Sequence, residues 1–190
     1  ITLWDLKGKI KEQSYAEMMQ LDHASLKSSL KGMPVIHVQK PDRMAELAGT
    51  WISEGFNTFK IKLRGNAEED AAALRSIRSL APNIKILVGD ANYGFKSVEE
   101  LKKAGPLFLE AGLQYLQNPI RIPIRRYKKL SECLGIPFTC DNTAYWPQIQ
   151  RVLWLQAAEL VNLHPNVMGG IDYLHKTVDA ARQQGKDVIM

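Results

Sequence analysis

Short apolar, β-branched runs alternate along this chain with longer amphipathic stretches. Seven runs, at 34–38, 58–63, 84–88, 114–116, 137–139, 160–163 and 187–190, predict strands. The stretches between them carry helical spacing. Residues 41–54 place Met44, Leu47, Ala48 and Trp51 on one stripe, and 67–80 does the same with Ala71, Leu74, Ile77 and Leu80. Residues 97–111 open on Ser97 and Glu100, a capping-box spacing, and 171–184 follows the Gly169-Gly170 pair. Residues 1–12 read as a helix ahead of the first strand, and 14–30 as further helix and connection.

Strand ends recur roughly every 25 residues, the length of one βα unit with short loops. Strands alternating with helices predict a parallel sheet with right-handed crossovers. That sheet is either open and doubly wound or a barrel. No glycine-rich phosphate loop follows the first strand, and nearly every strand ends on polar residues. Both features favour the barrel, where chemistry collects at the C-terminal strand ends. We expect a helical lead-in over 1–33 and a partial barrel over 34–190.

Composition changes this picture little. The 190 residues are 45% hydrophobic and 24% charged, which suits one soluble globular domain. The net charge of +5 is interleaved; even the densest basic run, 121–129, is broken by Ile122, Pro123, Ile124 and Tyr127 and reads as a solvated helix start. We therefore expect no nucleic-acid partner. No apolar run reaches the ~20 residues of a membrane span, and from the polar, charged first ten residues we expect no signal peptide. Cys133 and Cys140 suggest neither a disulfide framework nor a zinc site, so a reducing, cytoplasmic setting is expected.

The strand ends carry the candidate chemistry. Lys60 and Lys62 are two apart and share one face of the second strand. Close ammoniums disfavour each other's charge, which makes one of them a usable base; two lysines snorkelling at a solvated rim would give the same pattern. Later strands end in Asp90-Ala-Asn92, Gln117-Asn118-Pro119, Asp141-Asn142 and Asn162-Leu-His164. Oxygen donors from three neighbouring strand ends suit a hard cation such as Mg2+, although a single Asp after a strand is also a common helix cap.

The segments Trp4-Asp-Leu-Lys-Gly-Lys9, Phe59-Lys-Ile-Lys62, Asp90-Ala-Asn92, Tyr115-Leu-Gln-Asn-Pro119, Asp141-Asn142 and Val161-Asn-Leu-His-Pro-Asn-Val-Met-Gly-Gly170 resemble the barrel domain of the enolase superfamily. The mandelate racemase and muconate-lactonizing branch is the nearest in pattern. The resemblance implies an α/β fold, a partial (β/α)7β barrel lacking the N-terminal capping domain and the last strand. It implies removal of a proton α to a carboxylate, with Mg2+ stabilising the enolate. By position, Asp90, Gln117 and Asp141 resemble the metal ligands, Lys62 the base and Lys60 the residue that tunes it. Asn92 and Asn142 fall where they would support that set.

Three positions depart from the family pattern. Gln117 stands where the family has Glu, Asn142 where Glu is common, and His164 where the muconate-lactonizing branch has Lys. An amide brings no charge, so Mg2+ should bind more weakly. His164 could still act as acid or base from the opposite face. The expected partner is a small carboxylate substrate, with homo-oligomerisation left open. Two alternatives stand beside this reading: a non-catalytic relative that binds or scaffolds, and a Schiff-base chemistry at Lys60 or Lys62. Seven strands without closure leave two unpaired edges, so we expect a fragment of a longer chain or its ordered part.

Overall fold

The computed structural model describes residues 2–20, 32–80, 84–141 and 146–189. Two helices come first, α1 (Thr2–Lys11) and α2 (Tyr15–Met18). Strands and helices then alternate: β1 (Val35–Ile36), α3 (Pro41–Ser53), β2 (Thr58–Lys62), α4 (Ala67–Leu80), β3 (Ile86–Asp90), α5 (Val98–Glu110) and β4 (Tyr115–Gln117). After a 3-10 turn at Ile124–Arg126 follow α6 (Tyr127–Leu134), β5 (Phe138–Cys140), α7 (Trp146–Trp154), β6 (Leu160–Asn162), α8 (Ile171–Gln183) and β7 (Asp187–Ile189). The strands form one parallel sheet in sequential order, β1 to β7, curled as part of a barrel. No helix among the described residues is long and apolar enough to cross a membrane.

Strand alternation divides the chemistry. Phe59 and Ile61 on β2 are fully buried, packing with Leu87, Leu116 and Phe138 beneath helices that present Met44, Ala48, Leu74, Ile77, Leu101 and Phe108. The intervening Lys60 and Lys62 take the other face, as period-2 geometry requires. Gly89 lies on the helix side of β3, where a Cβ would come within 2.8 Å of Leu63 Cδ1 and would have to displace it. A second, smaller cluster of Ile149, Leu153, Val161, Leu163, Met168 and Ala181 lies between α7, β6 and α8.

Two differences from the sequence pattern bear on the site. β3 runs two residues later than expected, because it pairs with the whole of β2 in the register Thr58↔Ile86 through Lys62↔Asp90. β4 likewise extends to Gln117, paired with Asp90 on one side and Thr139 on the other. Asp90 and Gln117 therefore belong to the ladder and are buried. α6 and α7 fill crossovers where the apolar stripe spans only about two turns.

Candidate active site

The register brings four neighbouring strand ends, β2 to β5, to one rim, and their inward side chains meet. Asp90 is the centre. Its Oδ2 accepts from Lys62 Nζ at 2.7 Å and Gln117 Nε2 at 3.3 Å, and it lies 3.1 Å from Lys60 Nζ. Its Oδ1 accepts from the backbone N–H of Asn92 at 3.0 Å. Asp141 is the second acceptor. Asn118 Nδ2 donates to its Oδ1 at 2.5 Å; Lys60 Nζ reaches Oδ2 at 3.4 Å, and Gln117 Nε2 donates to Oδ2 as well. Lys62 Nζ also donates to Asn92 Oδ1 at 3.0 Å.

Burial separates the two lysines. The Lys60 side chain is 11% exposed, that of Lys62 24%, and that of Asp90 not at all. Lys60 forms the floor and Lys62 the rim. Two buried carboxylates balanced by two ammoniums make the cluster neutral by formal charge, which is how ionised groups are kept under a barrel floor.

Loop geometry fixes the rim. Asn92, Tyr93 and Asn118 adopt positive φ (45°, 63° and 45°), a region that asparagine tolerates better than most residues. The loops after β2 and β3 touch at Gly65, where a Cβ would lie 2.6 Å from the Gly94 backbone. The buried Asp70 clamps the loop after Lys62, accepting backbone N–H groups of Arg64, Gly65 and Asn66 at 2.8, 2.9 and 3.1 Å. Burial pushes the Asp70 carboxyl above its ordinary value, and those three N–H bonds and Arg64 counter it only in part.

Of the residues singled out in the sequence, Lys60, Lys62, Asp90, Asn92, Gln117 and Asp141 come together. His164, beyond β6, is exposed, and among the described residues no hydrogen bond or ion pair joins its side chain to the cluster. Asn142 lies outside the described residues. Sequence reasoning named Asn118 in a strand-end motif but gave it no role; it is buried and holds Asp141. Its signal was an Asn between a strand-end Gln and a Pro. Nor was a role given to Thr139, whose buried Oγ1 has no hydrogen-bond partner among the described residues.

A hard divalent cation suits Asp90, Gln117 and Asp141 by donor type: two carboxylates and one amide oxygen. Among the described residues no three His, Cys, Asp or Glu side chains cluster for a metal, because the third donor here is Gln117. Gln117 Oε1 is buried without a hydrogen-bond partner among the described residues, while Nε2 of the same amide meets the two carboxylates.

Residues 43–190 match the family described as Enolase C-terminal domain-like. An L-Ala-D/L-amino acid epimerase from Populus trichocarpa is 38% identical over 163 residues, covering 77% of this chain and 36% of that protein. An L-Ala-D/L-Glu epimerase from Clostridium acetobutylicum is 24% identical over 193 residues, covering 100% of this chain and 53% of that one. The structure of a dipeptide epimerase from Cytophaga hutchinsonii, complexed with Mg and the dipeptide D-Ala-L-Val, aligns with a TM-score of 0.76 at 25% identity, over 87% of this chain and 45% of that one. The chain thus spans about half, or less, of the length of these relatives. With residues 43–190 matched, this chain belongs to the enolase superfamily, in the Enolase C-terminal domain-like family.

Proposed function

We infer that the chain carries the proton-transfer rim of an enolase-superfamily enzyme: a racemase or epimerase, cycloisomerase or dehydratase that removes the proton α to a carboxylate. One observation carries this reading. Lys62 Nζ stands at the half-open rim, 2.7 Å from Asp90 Oδ2, the oxygen that also accepts from Gln117, whose amide in turn donates to Asp141. A substrate carboxylate seated over that set would present its α-carbon to Lys62.

In this reading Lys62, once neutral, takes the proton, and Asn92 Oδ1 and Asp90 orient its Nζ. Lys60, held on both carboxylates beneath, adds fixed positive charge where the substrate gains negative charge. His164 gives or takes a proton from the opposite face. Asp90, Gln117 and Asp141 would hold Mg2+, which when bound supplies further positive charge at the substrate carboxylate. Asn118 keeps Asp141 in place, and Asn142 is assigned a supporting position beside it. The names of the relatives support a small carboxylate substrate of the dipeptide or amino-acid kind, and the Mg complex supports the metal. Residues 34–190 are the barrel unit in this proposal and 1–33 its lead-in; the setting is cytoplasmic.

The test is isotope exchange in D2O with Mg2+, using the full-length protein and a panel of dipeptides, N-acylated amino acids, hydroxy acids and acid sugars. Uptake of one deuterium at the α-carbon, lost in Lys62→Met, is the expected result. No uptake across the panel overturns the reading. A second reading, a non-catalytic binding relative, is favoured by the neutral Gln117 head. It predicts ligand binding on the same panel with no exchange.

A further inference from the structure

Between Asp90 and Asp141 the chain supplies positive hydrogens of its own. Gln117 Nε2 donates to both carboxylates, 3.3 Å from Asp90 Oδ2 and in direct contact with Asp141 Oδ2. Lys60 Nζ lies 3.1 Å and 3.4 Å from the same two oxygens. A glutamate at position 117 could not close the centre in this way, because its head would set a third anion against two. Gln117 has two faces. A half-turn about its last bond exchanges Nε2 for Oε1, and Oε1 is the buried atom with no hydrogen-bond partner among the described residues. With N–H inward, the centre is satisfied apart from that oxygen. With Oε1 inward, the oxygen faces two carboxylates and needs a cation between them.

We propose that Gln117 is a two-position amide that makes divalent-cation binding here conditional. N–H inward closes the centre on the chain's own groups; Oε1 inward accompanies the cation. The proposal rests on the family reading for the kind of cation and not on the reaction. Binding draws on a state that must first give up the Gln117 bonds and the Lys60 contacts. The apparent affinity is therefore the intrinsic affinity multiplied by the fraction of molecules with Oε1 inward. A carboxylate at 117 removes the closed state and adds a charge, so both effects act in the same direction.

The experiment is a Mg2+ titration of the full chain, without substrate, by calorimetry and by nuclear magnetic resonance with isotope-labelled glutamine side chains. The Gln117 amide signal is identified by its absence in Gln117→Glu. The expected result is a Gln117 side-chain signal that is protected from solvent exchange without Mg2+, and that shifts and loses protection in step with binding. Gln117→Glu should bind Mg2+ at least about tenfold tighter. Wild type silent with Gln117→Glu binding also supports the proposal, since the closed state then dominates. Binding to wild type with an unmoved Gln117 signal overturns it. So does Gln117→Glu binding no tighter than wild type, or binding in neither protein, while circular dichroism shows both folded. Failure of α-proton exchange with a moving Gln117 amide sinks the reaction and leaves this inference standing.

Discussion

The two sides of the sheet are built to different standards. From β2 to β5 the inner face is a continuous hydrogen-bonded set, Lys62, Asp90, Lys60, Gln117, Asp141 and Asn118, over the larger apolar cluster. From β6 to β7 the inner positions include Asn162, the exposed His164 follows, and the apolar cluster beneath has six buried members. One side is preorganised before any ligand arrives; the other presents a titratable ring with no partner among the described residues. Groups that must hold charge in a fixed geometry need partners, and a group that delivers a proton from solvent needs access. The difference is what a two-faced proton transfer would require.

The largest expected effect breaks the comparison at its chemistry. Lys62→Met should lower α-proton exchange by about 10²–10⁴-fold, the usual worth of a positioned acid or base. His164→Asn should leave exchange from the Lys62 face largely intact while blocking conversion to the opposite enantiomer to a similar extent. Following deuterium uptake and optical rotation together separates the two. Equal loss of both signals in His164→Asn would remove its assignment to the opposite face.

Next comes stability. Asp90→Ala leaves two ammoniums facing one another with a single remaining carboxylate, and removing one partner of a buried pair costs about 3–5 kcal/mol. His164→Ala, exposed, should change stability by no more than about 0.5 kcal/mol. Urea midpoints at neutral pH compare them directly. A small shift for Asp90→Ala would mean that the cluster is hydrated and not the closed set described above.

That contrast also explains what could be read from the chain. The strands were legible because β-branched runs recur at even spacing, and Lys60 and Lys62 were placed on one face by period alone. Asp90 and Gln117 were recognised as strand-end residues but not as members of the ladder, since their burial follows from a register between strands that no single run encodes. Asn118 was given no role because that role depends on Asp141, 23 residues away, and on a positive φ that its own sequence only permits. The direction of the Gln117 amide could not be read at all. It is set by two carboxylates on different strands, and Gln and Glu fill the same space.

The smallest effect concerns the clamp behind Lys62. Asp70 has its carboxyl raised above the ordinary 3.8, chiefly by burial. The folded state then holds the Asp70 proton more tightly than the unfolded state does. The stability this contributes is fully present below pH 3.8 and is lost as pH rises through the folded value. Asp70→Asn keeps the side chain's size and one acceptor oxygen but removes the titration. The stability of wild type relative to Asp70→Asn should therefore fall as pH rises from about 4 toward neutral, by less than either effect above. Urea midpoints of the two proteins across that range give the difference. A flat difference, or one that rises with pH, would show that the three N–H bonds to Asp70 outweigh its burial. The loop after β2 would then be held by an ionised anchor, as firmly as the cluster it supports.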